Sequence, residues 1–259
     1  MMSYALPSFS TRFIPIWRRN FLVWKKLAVA SVLGNIADPL ITLIAFGYGL
    51  GSLLKSIDGI PYIHYLASGS ICMSVMMAAS FEALYSAFSR MHVQKTWEAL
   101  LNAPLDLDDV VLAEMLWAAT KSLFSGIAIL VVMFLLGIGL HPHTLLALPL
   151  LFLVGMTFAS LGLVFNAIAK GYDFFTYYFT LVLTPMIFVS GVYYPVTQLP
   201  GWLQVISHYL PLGAAVRLVR PLILGEWPVD AVGNLMVLLA YCLGGFYVAT
   251  LLTRRRLLK

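Results

Sequence analysis

Six long apolar runs, at about 29–54, 63–89, 110–138, 145–169, 174–194 and 229–252, alternate with short polar breaks along this chain. Each is long enough for a helix to cross the hydrocarbon of a bilayer, which takes roughly 20 residues. The one substantial polar break is 90–109, R-M-H-V-Q-K-T-W-E-A-L-L-N-A-P-L-D-L-D-D. Its centre predicts a short amphipathic helix: Val93, Trp97, Leu100 and Leu101 recur at helical spacing, with Lys95, Glu98 and Asn102 opposite. Pro104 stops that helix, and Asp106 with Asp109 makes an N-cap pattern for the next one.

Two further segments break the simple pattern. Ahead of the first run, starting near Pro15, Trp17, Phe21 and Trp24 form one stripe, with Arg18, Arg19, Lys25 and Lys26 opposite. This is the pattern of a helix lying in a membrane interface on anionic lipid, and an anchoring role and a gating role fit it equally. The chain thus divides into an N-terminal cytoplasmic segment, 1–28, carrying the interfacial helix, and a six-span domain, 29–259. The stretch 193–228 carries Pro195, Pro200, Pro211, Pro221 and Pro228, yet is nearly as apolar as a span. Trp202, Leu203, Val205, Ile206 and Leu210 predict one short helix there, and 212–224 a second. The pair reads as a hairpin dipping partly into the outer leaflet, against a hairpin lying flat on the headgroups. Gly155-x-x-x-Ala159 with Gly162 gives the fourth run a small-residue face for close packing, and Pro185 predicts a kink in the fifth.

Composition makes the bilayer the solvent. The chain is 61% hydrophobic and only 10% charged, against about 25% charged in soluble domains. Of 16 Lys and Arg residues, thirteen lie on or near the side of the termini: Arg12, Arg18, Arg19, Lys25, Lys26, Arg90, Lys95, Lys121, Lys170, Arg254, Arg255, Arg256 and Lys259. Only Lys55, Arg217 and Arg220 fall on the other side. The positive-inside rule then puts both termini and the 90–109 loop in the cytoplasm. The net charge of +5 is a topology signal before it is any hint of nucleic acid. Cys72 and Cys242 lie inside apolar runs and read as small buried hydrophobes. The basic and aromatic mixture from Arg12 through Lys26 has no apolar core of signal-peptide length.

Charges within the runs are functional candidates, because each is costly in lipid unless paired or wet. Asp38, followed by Pro39, sits about ten residues into the first run. Glu82 lies near the cytoplasmic end of the second, and Glu114 and Lys121 lie on one face of the third. Two turns separate Glu114 from Lys121, about 10 Å at 1.5 Å per residue, too far for a direct pair. Glu114 instead answers charge on the second span or on the cytoplasmic helix. Asp38 and Glu82 are the candidate carriers for a competing reading, a proton-coupled secondary transporter of hydrophobic compounds. Arg217 and Arg220 are the cationic pair of the outer face, suited to lipid phosphate or, with Asp38, to a substrate headgroup. His64, His92, His141, His143 and His208 are scattered, so no metal site is expected. The chain holds no G-x-x-x-x-G-K-[ST] motif and no clustered acids or histidines for chemistry on lipid-linked sugars. No catalytic residue and no cofactor are expected within it, and an active transporter built from it takes its energy from a partner.

The order of these features resembles the permease subunits of ABC-2 type exporters, and more narrowly those that export lipo-oligosaccharides. The segments that carry the resemblance are W-R-R-N-F-L-V-W-K-K-L-A-V-A-S-V-L-G-N-I-A-D-P-L, K-T-W-E-A-L-L, A-E-M-L-W-A-A-T-K, T-P-M-I-F-V-S-G-V-Y-Y-P-V, L-V-R-P-L-I-L-G and R-R-R-L-L. They run from 17 to 258 in the expected order. The resemblance implies an all-α membrane protein with six transmembrane helices, an interfacial helix, a cytoplasmic coupling helix and a periplasmic two-helix hairpin before the last span. It implies a homodimer in a bacterial inner membrane with two copies of an ATPase subunit, which carry the ATP and Mg. Membrane lipids are the other implied partner, and nucleic acid is not. The coupling role falls on Val93, Lys95, Trp97, Glu98, Leu100 and Leu101, with Trp97 filling a groove on the ATPase and Glu98 meeting a basic residue at its rim. After Leu210-Pro211 such permeases often carry a polar Ser/Thr and a His, where this chain has Leu212-Gly213-Ala214.

Overall fold

The computed structural model describes residues 7, 10–54, 56–57 and 59–258, leaving the side chains at 30, 32, 35, 36, 38, 39 and 50 outside the described set. Helix α1 (Phe13–Lys25) is followed after a short turn by α2 (Ala28–Gly49). A small hairpin, β1 (Ser56–Ile57) with β2 (Ile60–Pro61), turns through Gly59 at φ 80° and leads into α3 (Tyr62–Phe81). Two π-helical turns, Glu82–Ser86 and Ser89–Val93, continue α3 to the polar break. There the chain forms α4 (Thr96–Leu101) and re-enters the bundle as α5 (Leu107–Leu135). Next come α6 (Ala147–Ile168) and an interrupted helix made of α7 (Asp173–Tyr177), a π-helical stretch (Tyr178–Leu183) and α8 (Thr184–Val189). The two expected hairpin helices are α9 (Gly201–Tyr209) and α10 (Pro211–Leu224), and α11 (Ala231–Leu257) follows them.

Among the described residues, four segments are long and apolar enough to cross a membrane: Tyr62–Val93, Leu107–Leu135, Pro142–Ile168 and Ala231–Leu257. The other two apolar runs appear as the 22-residue α2 and the shorter Asp173–Val189. In the latter, Pro185 lacks an N–H for the helical ladder. The π-helical stretch precedes it, and Thr184 Oγ1 donates to Phe179 O at 2.9 Å.

Between lipid-solvated helices no hydrophobic force drives association, so close approach and hydrogen bonds must do it. The small-residue face of α6 serves this purpose. A Cβ at Gly155 would lie 2.4 Å from Ser122 Oγ on α5, and one at Gly162 would lie 2.8 Å from Ala83 Cβ on the continuation of α3. On the side facing α11, Thr157 Oγ1 donates to Leu238 O at 3.2 Å.

One expectation changes at α1. Its aromatic stripe packs on α5 rather than on lipid. Trp17, Phe21 and Trp24 meet the edge of Trp117 at centroid distances of 6.5, 6.4 and 5.9 Å, and Trp24 stacks on Phe124 at 5.1 Å. Trp17 Nε1 donates to Thr120 Oγ1 at 3.1 Å, a partner that acyl chains do not offer. The faces left open carry Ile14, Leu22 and Val23 beside Arg18, Lys25 and Lys26.

Candidate functional site

The polar break is tied down at both ends. Gln94 N–H bonds Ser89 O at 2.8 Å, and Lys95, at φ 50° and ψ 28°, turns the chain into α4. A left-handed non-glycine residue costs about 1–2 kcal/mol, so the surrounding contacts hold this turn. On the far side Asp109 accepts from the Asp106 N–H at 3.3 Å, the reach-back half of the expected cap on α5. Asp109 also accepts from Ser10 Oγ at 2.7 Å, and Arg12 Nη1 donates to Pro104 O at 2.9 Å.

Only part of the expected contact stripe faces outward. Trp97 is 1% exposed and points into the bundle, with Leu100 and Leu101 half-buried beside it. Val93 belongs to the last π-helical turn rather than to α4, and is 61% exposed. Lys95, Glu98 and Ala99 complete the outward surface. Trp97 is therefore not available to fill a partner's groove. A six-residue helix laid over the ends of α3 and α5 has one face to bury, and its largest apolar side chain occupies it.

Trp97 leads to a buried charge cluster. Its Nε1 donates to Glu114 Oε1 at 3.2 Å. Glu114 is gripped by Arg90, whose Nε and Nη2 reach its two oxygens at 2.9 and 2.5 Å. The same Arg90 Nη2 reaches Glu82 Oε1 at 2.9 Å, Lys121 Nζ lies 2.6 Å from Glu82 Oε2, and Trp117 Nε1 donates to Glu82 Oε1 at 2.9 Å. Glu82 and Glu114 are 3% and 1% exposed. Two acids and two bases balance, which is the condition for keeping ionised groups in such a place. As expected, Glu114 and Lys121 do not pair, and Glu114 answers a charge on the second span. Both Glu82 oxygens are engaged, an arrangement unlike that of a free proton carrier.

The π-helical turns explain how α3 presents both Glu82 and Arg90 to α5. Eight residues of α-helix leave two side chains about 80° apart, and one residue absorbed by a π turn rotates them back by about 100°. Arg90 is the member that the sequence reading passed over, having counted it as a loop cation. Its signal is the eight-residue spacing from Glu82, which puts it at the edge of the same helix face, about 80° round.

The C-terminal basic residues close the same end. Arg254 forms an ion pair with Asp108, its Nε lying 2.8 Å from Oδ1. Arg256 Nη1 caps the end of α6, donating to the carbonyls of Asn166, Ala167 and Ala169 at 3.1, 3.1 and 2.7 Å.

At the opposite end of α3, Arg217 and Arg220 correct a second expectation. Both turn inward. Arg220 Nη2 donates to Gly191 O at 2.8 Å, Nε donates to Ser68 Oγ at 3.1 Å, and the guanidinium lies over the Tyr65 ring at 3.7 Å. A Cβ at Gly69 would come within 2.7 Å of that guanidinium. Arg217 joins Asn234 Oδ1 at 2.7 Å to His208 O at 2.7 Å, linking α9, α10 and α11. Carbonyls near the prolines between these short helices serve as acceptors for both guanidinium groups. Gly213 has a packing reason too, since a Cβ there would meet Ser207 O at 2.5 Å. The side chain of Asp38 lies outside the described residues.

Comparison with known proteins places this geometry. A family model described as ABC-2 type transporter matches residues 11–224, which spans α1 through α10. Nodulation protein J of Rhizobium leguminosarum bv. trifolii is 46% identical over 255 residues, covering 98% of this chain and 97% of that protein. Nodulation protein J of Bradyrhizobium diazoefficiens is 42% identical over 255 residues, with the same coverage of 98% and 97%. The inner membrane transport permease YadH of Escherichia coli is 27% identical over 241 residues, 93% of each chain.

Proposed function

The chain belongs to the ABC-2 type transporter family, and on that premise we propose that it is the membrane subunit of an ATP-driven exporter. Two copies act with two copies of a separate ATPase in a bacterial inner membrane. Six helices cross: α2, α3, α5, α6, the interrupted Asp173–Val189 and α11. Both termini and the α4 loop face the cytoplasm, in line with the thirteen-to-three sorting of basic residues. The cargo is lipid-linked or amphiphilic, of the lipo-oligosaccharide class that the resemblance in sequence implies.

The observation that carries this reading is the continuous polar chain from α4 into the bundle: Trp97 to Glu114, Glu114 to Arg90, Arg90 to Glu82. A partner that displaces α4 displaces Glu114 with it. Arg90 and Lys121 then repartition between the two carboxylates, and α3 shifts against α5. The outward apolar faces of α2 (Val29, Leu33, Ile41) and of Asp173–Val189 (Tyr177, Leu181, Phe188) suit a path between two copies, with α3 behind them. Partner contact falls to Val93, Lys95 and Glu98, while Trp97, Leu100 and Leu101 hold α4 in place.

The test uses co-expression with a candidate ATPase subunit from the source genome. Glu98 is exposed, so Glu98→Arg should change stability by no more than about 0.5 kcal/mol. It should abolish co-purification of the ATPase and transport-stimulated hydrolysis. Normal co-purification and transport by this variant would sink the docking assignment. Transport that survives ATP depletion and collapses with an uncoupler would overturn the ATP-driven reading. Mass spectrometry of lipids retained by the wild-type complex identifies the cargo class.

A further inference from the structure

Beside the charge cluster lies a cavity of about 180 Å³ between α1, α3 and α5. One wall is the cluster of Glu82, Arg90 and Lys121 that the coupling reading uses, and the α1 wall has no part in that reading. Two successive turns of α1 line it with polar atoms that have no partner among the described residues: Arg19 Nη1, both amide atoms of Asn20, and Trp24 Nε1. Asn20 is 4% exposed, so water outside the protein does not solvate its amide. A buried donor and acceptor left unpaired oppose folding, and their presence on one wall calls for an occupant.

The charges on the wall say which kind. Glu82 on the wall and Glu114 behind it are neutralised by Arg90 and Lys121, which also line the cavity. Arg19 makes no ion pair among the described residues, and it leaves the cavity with one surplus positive charge. Burial acts to lower its pKa, and the field of Glu114 only partly opposes that. Arg19 also lines a second, wider groove on the open face of α1, with Ile14, Pro15, Arg18, Leu22 and Lys26. That groove is apolar along Ile14 and Leu22 and basic at its edges, so an amphiphile lying in it brings its head to Arg19.

We propose that this cavity binds one phosphoryl group, with Arg19 pairing its charge and Asn20 and Trp24 hydrogen-bonding its oxygens. A space of this size holds a phosphoryl group together with a few waters, each about 30 Å³. Two sources share the chemistry: the headgroup of an anionic phospholipid with its acyl chains along Ile14 and Leu22, or free phosphate. The site depends on neither the ATPase partner nor the cargo.

The experiment is native mass spectrometry of the detergent-solubilised full chain, incubated separately with phosphatidylglycerol, phosphatidylcholine and inorganic phosphate. One phosphatidylglycerol per subunit should be retained in preference to phosphatidylcholine. Arg19→Gln should weaken retention about tenfold or more, the usual scale for losing a charge-assisted hydrogen bond in a buried site, while Arg18→Gln on the open face has less than a threefold effect. Asn20→Leu keeps every charge and fills the cavity. It should lose the ligand as fully as Arg19→Gln, yet raise the unfolding temperature of the ligand-free protein. This second variant keeps the test open if Arg19→Gln does not fold. Inorganic phosphate that binds alone and displaces the lipid supports the phosphoryl site with phosphate as its source. Retained phosphatidylglycerol that phosphate cannot displace supports it with the lipid as source. Equal losses in Arg18→Gln and Arg19→Gln, or undiminished retention in Asn20→Leu, would overturn the proposal.

Discussion

Arg90 and Arg220 sit at opposite ends of α3, both withdrawn from the surface, and they are held by different chemistry. Arg90 lies between two carboxylates, one of which already shares its charge with Lys121. Arg220 lies among neutral acceptors and over a tyrosine ring, in a niche that Gly69 leaves open. Ion pairs with a shared partner have more than one arrangement of similar energy. A guanidinium seated on backbone carbonyls has one, because the helices fix its acceptors. The end beneath the polar loop is thus the adjustable end, and the hairpin end is the fixed one.

The largest break of this comparison is Arg90→Met. It strands the buried Glu114, leaving Glu82 with Lys121 and Trp117, and should cost about 3–5 kcal/mol, read as a lower unfolding midpoint in a detergent denaturation series. Adding Glu114→Gln to that variant should restore part of the loss. Trp97→Phe keeps the packing of α4 and removes only the indole hydrogen bond to Glu114. A loss of about 1.5–3 kcal/mol is expected, with a larger drop in transport than in membrane abundance. Smallest is Arg220→Lys, which keeps the charge but loses the flat contact with Tyr65 and one of the two bonds to Ser68 and Gly191, for about 1–2 kcal/mol in the same assay. If Arg220→Lys proves as damaging as Arg90→Met, the adjustable and fixed ends are not distinguished by their partners.

Much of the architecture could be read from residues that act locally. Apolar runs of span length, Pro104 with the Asp106–Asp109 cap, and the proline-bounded helices α9 and α10 all depend on neighbours within a few positions. The small face at Gly155 and Gly162 was readable because it needs only the absence of side chains. What escaped was direction. The spacing puts Trp17, Phe21 and Trp24 on one face of α1 and Trp97, Leu100 and Leu101 on one face of α4, but assigns them to lipid and to a partner. Trp24 and Trp97 instead meet this chain's own α5, and only Val93, outside α4, stays exposed. Where the solvent is itself apolar, a hydrophobic face no longer tells inside from outside. Indole nitrogens were the better guide, since Trp17, Trp97 and Trp117 each find an internal acceptor. The pairing of Arg90 with Glu114 spans 24 positions and depends on a π-helical register that periodicity arguments do not contain.

The locks supplied by α11 carry a consequence for the order of synthesis. Asp108 and the end of α6 are completed by Arg254 and Arg256, which lie 146 and 87–90 positions further along the chain and are synthesised well after them. Until α11 is made, α5 and the end of α6 therefore carry an acid and a row of carbonyls that lack these partners. Closure of this end of the bundle is thus deferred until α11 has been synthesised, and a chain truncated before α11 keeps an open polar end.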